Sequence, residues 1–314
     1  MYIERMKNNS LTKHINTLIV AGLVIVVAVG LIIAYHDKHS SSTNKNVALQ
    51  VVAGENFWGN ITSQIGGSHV KVTSIISNPN TDPHLYESDA HDAGAISSAN
   101  IVIENGLGYD DFMDKIMAAS PNSQRQVLSA AKILNITGDD PNPHLWYDIP
   151  RVLEVAGAIE QALASKDPKD ASTYAANLAT FKSSLQPILD VINQIKTKYP
   201  NAPVAYTERV PGYLLADAGL DVKTPVEFAS ATEDGDDPTP ADTNTMDSLM
   251  TNHGIRVLLY NAQATSAATV HVRDLATQAG IPVIGVTETL PPSEHNYQTW
   301  QLDQAKALLK ALGG

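Results

Sequence analysis

Apolar and polar positions divide the chain into an N-terminal apolar block and a long region of alternating short patterns. From Ile15 to Tyr35 no residue is charged, and the core from Leu18-Ile19-Val20 to Leu31-Ile32-Ile33-Ala34 is almost wholly apolar. A bilayer-spanning helix needs about 20 such residues. Arg5, Lys7 and Lys13 precede the block, so the positive-inside bias places the N-terminus in the cytoplasm and everything after Tyr35 outside. A cleaved signal peptide is the competing reading. The run is long for one, and no clear small-x-small cleavage site follows it, so the pattern favours an uncleaved anchor. Residues 1–14 are then a cytoplasmic tail, 15–35 the anchor, and 36–46 a linker through the polar His39-Ser40-Ser41-Ser42-Thr43-Asn44.

Beyond residue 46 the patterns are short. Val47–Ala53 reads as a buried strand, and Asn56-Phe57-Trp58 opens a helix that stops near Ile65 at Gly66-Gly67. Val70–Ile76 is a second strand and Ile101–Ile103 a third, with Asp92 as the N-cap of a helix between them. Pro150 starts a helix that ends near Ser165. Tyr174, Leu178, Phe181, Leu185, Ile188, Ile192 and Ile195 then form one apolar stripe, predicting a helix of about 30 residues that Pro187 kinks. Pro203–Tyr206, Val257–Tyr260 and Val283–Val286 are further strands, and Leu302–Leu312 is a closing helix. The acidic run Glu233–Pro240 reads as a surface loop.

Strand and helix alternate, so the expected fold is α/β. It has two (βα)-type lobes with mainly parallel sheets, joined by a long backbone helix and preceded by an N-terminal transmembrane helix. The expected lobes are 47–148 and 201–314, with linking helices over 149–200. Composition narrows the chemistry. The net charge of -12 argues against nucleic acid as a partner. With no cysteine, a disulfide framework, a thiolate zinc site and a cysteine nucleophile are excluded, and no thiol is present to carry a lipid.

Two stretches repeat each other: Asp82-Pro83-His84-Leu85-Tyr86-Glu87 and Asn142-Pro143-His144-Leu145-Trp146-Tyr147. Proline stiffens each loop and restricts the residue before it. Two histidines so placed, each shortly after a run that reads as a strand, read as two ligands of one metal. His84, Glu87 and His91 also stand at i, i+3 and i+7, which leaves a local metal site open. Gly106-x-Gly108 lacks the third glycine of a dinucleotide fingerprint and reads as a tight turn. Trp58 and Trp146 read as packing residues, and Asp236 and Asp237 as solvated ones.

With Asn56-Phe57-Trp58, Ile65-Gly66-Gly67, Asn105-Gly106, Thr207-Glu208-Arg209-Val210-Pro211-Gly212-Tyr213 and Val286-Thr287-Glu288-Thr289-Leu290 added, the chain from Val47 onward resembles a known family. These are the metal-binding subunits of zinc and manganese ABC importers, the cluster of substrate-binding proteins with a rigid backbone helix. The resemblance implies that four side chains enclose one metal between two lobes: His84, His144, Glu208 and Glu288. Glu288 stands where the family usually has aspartate. Two imidazoles and two carboxylates make a hard site, pointing to Mn2+ ahead of Zn2+, with Fe2+ as a further cargo. The implied partners are an ABC permease and its ATPase, with the membrane engaged through the N-terminal helix. The implied place is the extracellular face of the cell membrane.

Asp148 or Tyr147 could orient His144 by hydrogen bonding, and a plain helix-cap role for Asp148 is equally open. A metallohydrolase would need an exposed coordination position and a general base, and neither a Gly-x-Ser-x-Gly elbow nor a His-Glu-x-x-His motif is present. A surface adhesin on the same fold is the other alternative. The expectation is therefore a binding protein and not an enzyme.

Overall fold

The computed structural model describes residues 48–78, 81 and 86–313. The predicted anchor at 15–35 and His84 both lie outside the described residues. No helix among the described residues is long and apolar enough to cross a membrane.

The first half runs β1 (Leu49–Glu55), α1 (Asn56–Gly66), β2 (Val70–Ile76), α2 (Ala90–Ser98), β3 (Ile101–Glu104), α3 (Asp111–Ala119), β4 (Gln126–Ser129) and the one-turn α4 (Ala130–Ile133). Gly67 stops α1 at φ 55°, a left-handed conformation that glycine adopts without Cβ strain. Helix α2 begins earlier than the sequence suggests. Its N-cap is Asp89, whose carboxylate accepts from the His91 and Asp92 backbone N–H groups. Asp92 reaches back to the Asp89 N–H and completes a capping box. Two acidic residues three apart both suit an N-terminus, and the earlier one wins because the later one can then reciprocate.

Three helices link the halves: α5 (Ile149–Lys166), α6 (Ala171–Ser184) and α7 (Gln186–Lys198). The predicted long helix is thus two helices meeting at Leu185, with Pro187 in the first turn of the second. Proline has no N–H to offer the preceding turn and crowds its carbonyl, so the ladder breaks just before it. Leu185 keeps near-helical dihedrals, and the apolar stripe passes through the break almost fully buried. Helix α6 packs on α1.

The second half repeats the plan: β5 (Pro203–Tyr206), α8 (Gly212–Asp217), β6 (Asp221–Val222), α9 (Val226–Glu233), α10 (Pro240–Thr251), β7 (Val257–Asn261), α11 (Ala267–Gln278), β8 (Val283–Val286) and α12 (Tyr297–Ala311), the last packing on α7. Helix α12 starts five residues before the predicted Leu302, at an Asn296 cap. The acidic run is only partly loop. Glu233 ends α9 and is buried, while Pro240 opens α10.

Among the described residues each sheet has four strands and every pairing is parallel. The orders are β2-β1-β3-β4 and β6-β5-β7-β8, the same order written twice. Strand order reverses between β1 and β3 in one sheet and between β5 and β7 in the other. Open parallel sheets bind ligands beyond the carboxyl ends of the strands at such switch points.

Candidate metal centre

Each candidate side chain that the structure describes follows a strand end or a stiff loop. Glu208 lies two residues past β5 and Glu288 two past β8. Both are buried. Gln263 holds the Glu288 loop, its Oε1 accepting from the Glu288 and Thr289 backbone N–H groups at 2.6 and 2.8 Å. Trp300 donates its indole N–H to Thr287 Oγ1 at 2.9 Å. Asn261, the last residue of β7, donates from one nitrogen to both acids, 2.6 Å to Glu208 Oε2 and 2.7 Å to Glu288 Oε1. Tyr109, from the loop after β3, donates to Glu288 Oε2 at 2.8 Å. Two acids are thereby held together in a buried space by donors aimed at them.

His144 comes from the loop before the short 3-10 turn Leu145–Tyr147 and is fully buried. Its orientation is set by Asn142, whose Oδ1 meets His144 Nδ1 at 2.7 Å and accepts the His144 backbone N–H at 3.1 Å. The Asn142 Nδ2 donates to Arg209 O at 2.9 Å, which fixes Oδ1 as the end facing the ring. An acceptor at Nδ1 requires a proton there, and in the neutral ring the lone pair is then at Nε2. That nitrogen lies 4.0 Å from Glu288 Oε2. The gap is too long for a hydrogen bond, and a cation with ligand bonds of about 2.0–2.2 Å fits between the two atoms.

The orienting residue is therefore Asn142, not Asp148 or Tyr147. Asp148 caps α5, its carboxylate accepting from the Arg151 N–H. Tyr147 donates to Thr287 O at 2.8 Å, and burial pushes its phenol up, so it remains a donor. The Asn142 amide stands in a motif where the neighbouring carboxylate draws attention first. The i to i+2 spacing of an Asx turn is the signal that finds it.

Further contacts press the His144 loop onto the Glu208 loop. Tyr213 donates to Asn142 O at 2.9 Å. Gly212 is required there, because a Cβ would come 2.7 Å from Asn142 Nδ2. Arg209 pairs through two nitrogens with Glu233 at 2.8 and 2.9 Å and reaches Asp140 Oδ2 at 2.9 Å. Burial works against the Arg209 charge, but the two carboxylates more than offset it and hold the guanidinium above its ordinary value. Asn56 forms a second clamp, donating to Leu290 O at 2.8 Å and accepting from Leu290 N at 2.9 Å.

His144, Glu208 and Glu288 thus converge. Of the local alternative, Glu87 and His91 are exposed. Asp89, His91 and Asp92 do cluster, but both carboxylates serve the cap of α2. Trp58 and Trp146 are packing residues, with Trp146 stacked on Phe57 at 4.0 Å. Asn261 and Tyr109 were not read from the sequence. Neither residue type at a strand end or loop signals a carboxylate partner far along the chain.

A family model described as the periplasmic component A of the zinc-uptake complex, ZnuA, matches residues 51–311. The manganese-binding lipoprotein MntA of Bacillus subtilis is 29% identical over 154 residues, 47% of this chain and 50% of that protein. The manganese ABC transporter substrate-binding lipoprotein scaA of Streptococcus gordonii is 25% identical over 193 residues, 58% and 61% of the two chains. The chain spans about half to three-fifths of the length of these curated relatives. In fold it is similar to the periplasmic zinc-binding protein TroA of Treponema pallidum, at a TM-score of 0.73 and 16% identity, covering 85% of this chain and 100% of that one. It is likewise similar to the substrate-binding protein FpvC of Pseudomonas aeruginosa in complex with Mn2+, at a TM-score of 0.71 and 23% identity, covering 84% and 98%.

Proposed function

This chain belongs to the ZnuA family of periplasmic zinc-uptake components, and we propose that it captures a divalent metal, manganese or zinc, for delivery to an ABC importer. The observation that carries the reading is the convergence of His144 Nε2 and the Glu288 carboxylate across 4.0 Å, with Glu208 joined to the same Asn261 amide. His84, from the paired Pro-His motif, is the fourth ligand. Two neutral imidazoles and two carboxylates balance one divalent cation. Relatives named as manganese-binding lipoproteins support this cargo, and Fe2+ fits the same oxygen-rich set. Four protein ligands need no open coordination position, which suits capture and release and not catalysis.

The protein works outside the cytoplasm, tethered by the apolar 15–35 segment, with the permease and its ATPase as partners. With no cysteine to lipidate, this apolar segment takes over the holding role that lipid plays in lipoproteins. An intact N-terminus in membrane-purified protein is the expected result, and a mature chain starting near Ser40 removes the anchor.

Full-length protein and its Glu208→Ala variant, grown in manganese-limited and in zinc-limited media, test the cargo by mass spectrometry of bound metal. One equivalent in the wild type, lost in the variant, is expected. An empty wild-type protein after direct loading with either metal overturns the reading.

A further inference from the structure

His69, Asp167 and Asp170 meet away from the cleft, with one ligand atom of each within 4.8 Å of the others. His69 ends the 3-10 turn Gly67–His69 that leads into β2, so it stands at the amino edge of the first sheet. Glu208 and Glu288 follow the carboxyl ends of their strands. From His69, β2 runs about 20 Å towards the segment that carries His84.

Asp167 ends α5 and Asp170 precedes α6, joined by the 3-10 turn Pro168–Asp170. The two parts of the chain are pinned together. Asn177 of α6 donates to Ile65 O at 2.9 Å, just before the His69 turn. The His69 ring stands edge-on to Tyr174, centroids 5.9 Å apart. Tyr174 donates to Asp167 Oδ2 at 2.9 Å, the kind of outer contact that orients a metal-binding carboxylate.

Asp170 is the member whose chemistry is unspent. It holds the N-cap position of α6, yet its side chain caps nothing. Its Oδ2 is buried and accepts no hydrogen bond, although His69 Nδ1 lies 2.8 Å away. The ring and the carboxylate therefore abut off the line of a hydrogen bond. Atoms bound side by side to one cation at about 2.0–2.2 Å stand about 2.8–3.1 Å apart in an octahedral shell. The acids already draw a positive charge, since Lys169 Nζ lies 3.9 Å from Asp167 Oδ1 and 3.8 Å from Asp170 Oδ2. That side chain is 55% exposed, so the contact is screened and weakly held, and the ammonium can swing out. All three ligand side chains are partly exposed, which lets water complete a coordination shell.

We propose that His69, Asp167 and Asp170 form a second metal site, for a divalent transition-metal cation such as zinc, clipping the turn before β2 to the linking helices. One imidazole and two carboxylates suit such a cation. With three protein ligands and Lys169 as a competitor, the site is weaker than the cleft. It stays empty in metal-limited growth and fills when the cation is in excess. It does not depend on the capture reading.

The test is calorimetric titration of untagged full-length protein with zinc alone. The wild type is expected to bind a tight and a weaker equivalent. His144→Ala is expected to keep the weaker one. His69→Ala and Asp170→Asn are expected to lose it and keep the tight one, and both positions are exposed enough for the variants to fold. Lys169→Met is expected to tighten the weaker equivalent about fivefold, the effect of removing one unit charge at about 4 Å in water. X-ray absorption on zinc-loaded His144→Ala is expected to show one imidazole among oxygen neighbours. A single equivalent in the wild type overturns the proposal. So does a weaker equivalent that survives in both His69→Ala and Asp170→Asn, because it then belongs to another surface group. A weaker equivalent that Lys169→Met leaves unmoved or weakens also overturns it, since a plain ion-pair cluster behaves that way.

Discussion

At the switch point of the second sheet, two buried glutamates sit side by side and are met by an amide and a tyrosine hydroxyl. The first sheet has the same strand order and also buries acids at its switch point, Glu55 at the end of β1 and Glu104 at the end of β3, with Asp110 nearby. Its donors are spent differently. Asp110 accepts the backbone N–H groups of Asn105 and Gly106 at 2.6 and 2.8 Å. Among the described residues no amide or hydroxyl donor reaches either Glu55 oxygen. Burial, then the Asp110 charge and a hydrogen bond to that carboxylate, pushes Glu55 well above the ordinary carboxylate range. Burial thus favours the neutral form of Glu55 over the charged one. One topology yields a buried acid cluster biased towards its neutral form in one half and a candidate cation-holding pair in the other. The difference lies in which donors the neighbouring loops aim inward, not in the number of acids.

The comparison breaks most visibly if the acids are interchangeable. Glu288→Ala is expected to lower metal affinity by about a thousandfold, roughly 4 kcal/mol, whereas Glu55→Gln leaves it within about twofold. Calorimetric titration of both variants checks the contrast, and equal losses would erase it. Next in size, Arg209→Met leaves the Glu233 carboxylate buried without its partner. It is expected to cost about 3 kcal/mol in urea unfolding, and a loss indistinguishable from zero would mean that the clamp between the His144 and Glu208 loops holds nothing.

Glu55→Gln sharpens the other side. Because the folded-state pKa of Glu55 is raised above that of the unfolded chain, the folded form binds the extra proton. Its contribution is fully present below the unfolded value and declines as pH rises towards the folded one. Glutamine keeps the shape of the side chain without a charge to bury. The variant is expected to gain on the order of 1–3 kcal/mol at pH 8 and to flatten the fall in melting temperature above pH 5. Parallel melting curves for variant and wild type would contradict a buried proton. The smallest effect belongs to Asn142→Ala, which frees the His144 ring and is expected to weaken metal binding about tenfold with little change in melting temperature.

Strands were the most legible elements. Val70–Ile76, Pro203–Tyr206 and Val283–Val286 were read with the boundaries the structure has, because short β-branched runs between turns have few alternatives. Strand β4 went unread, and so did the two-residue β6, too short to carry a period. The apolar stripe on α6 and α7 was legible as one face, but periodicity is blind to a backbone break that leaves side-chain phase intact. At the site, His144, Glu208 and Glu288 came from motif likeness, and the structure brings those three together. Asn261 and Tyr109 stayed hidden, since a neutral donor becomes meaningful only once the fold has brought distant acids to it.

The Asn56 clamp has a consequence for how the protein comes apart. One hydrophobic cluster takes in Val51 and Ile103 of the first sheet, Phe181 and Ile192 of the linking helices, and Val204 and Leu259 of the second sheet. Asn56 adds two bonds across the sequence from α1 to Leu290. Melting one half would strip the other of its packing, so residues 48–313 should unfold in a single step, with matching calorimetric and van't Hoff enthalpies. A ligand then shares its binding energy with all of those residues: at a hundredfold excess over its Kd it stabilises the whole body by about 2.7 kcal/mol. Occupancy of a few atoms in the cleft thereby becomes a property of the entire fold, measurable as heat and as resistance to proteolysis far from the cation.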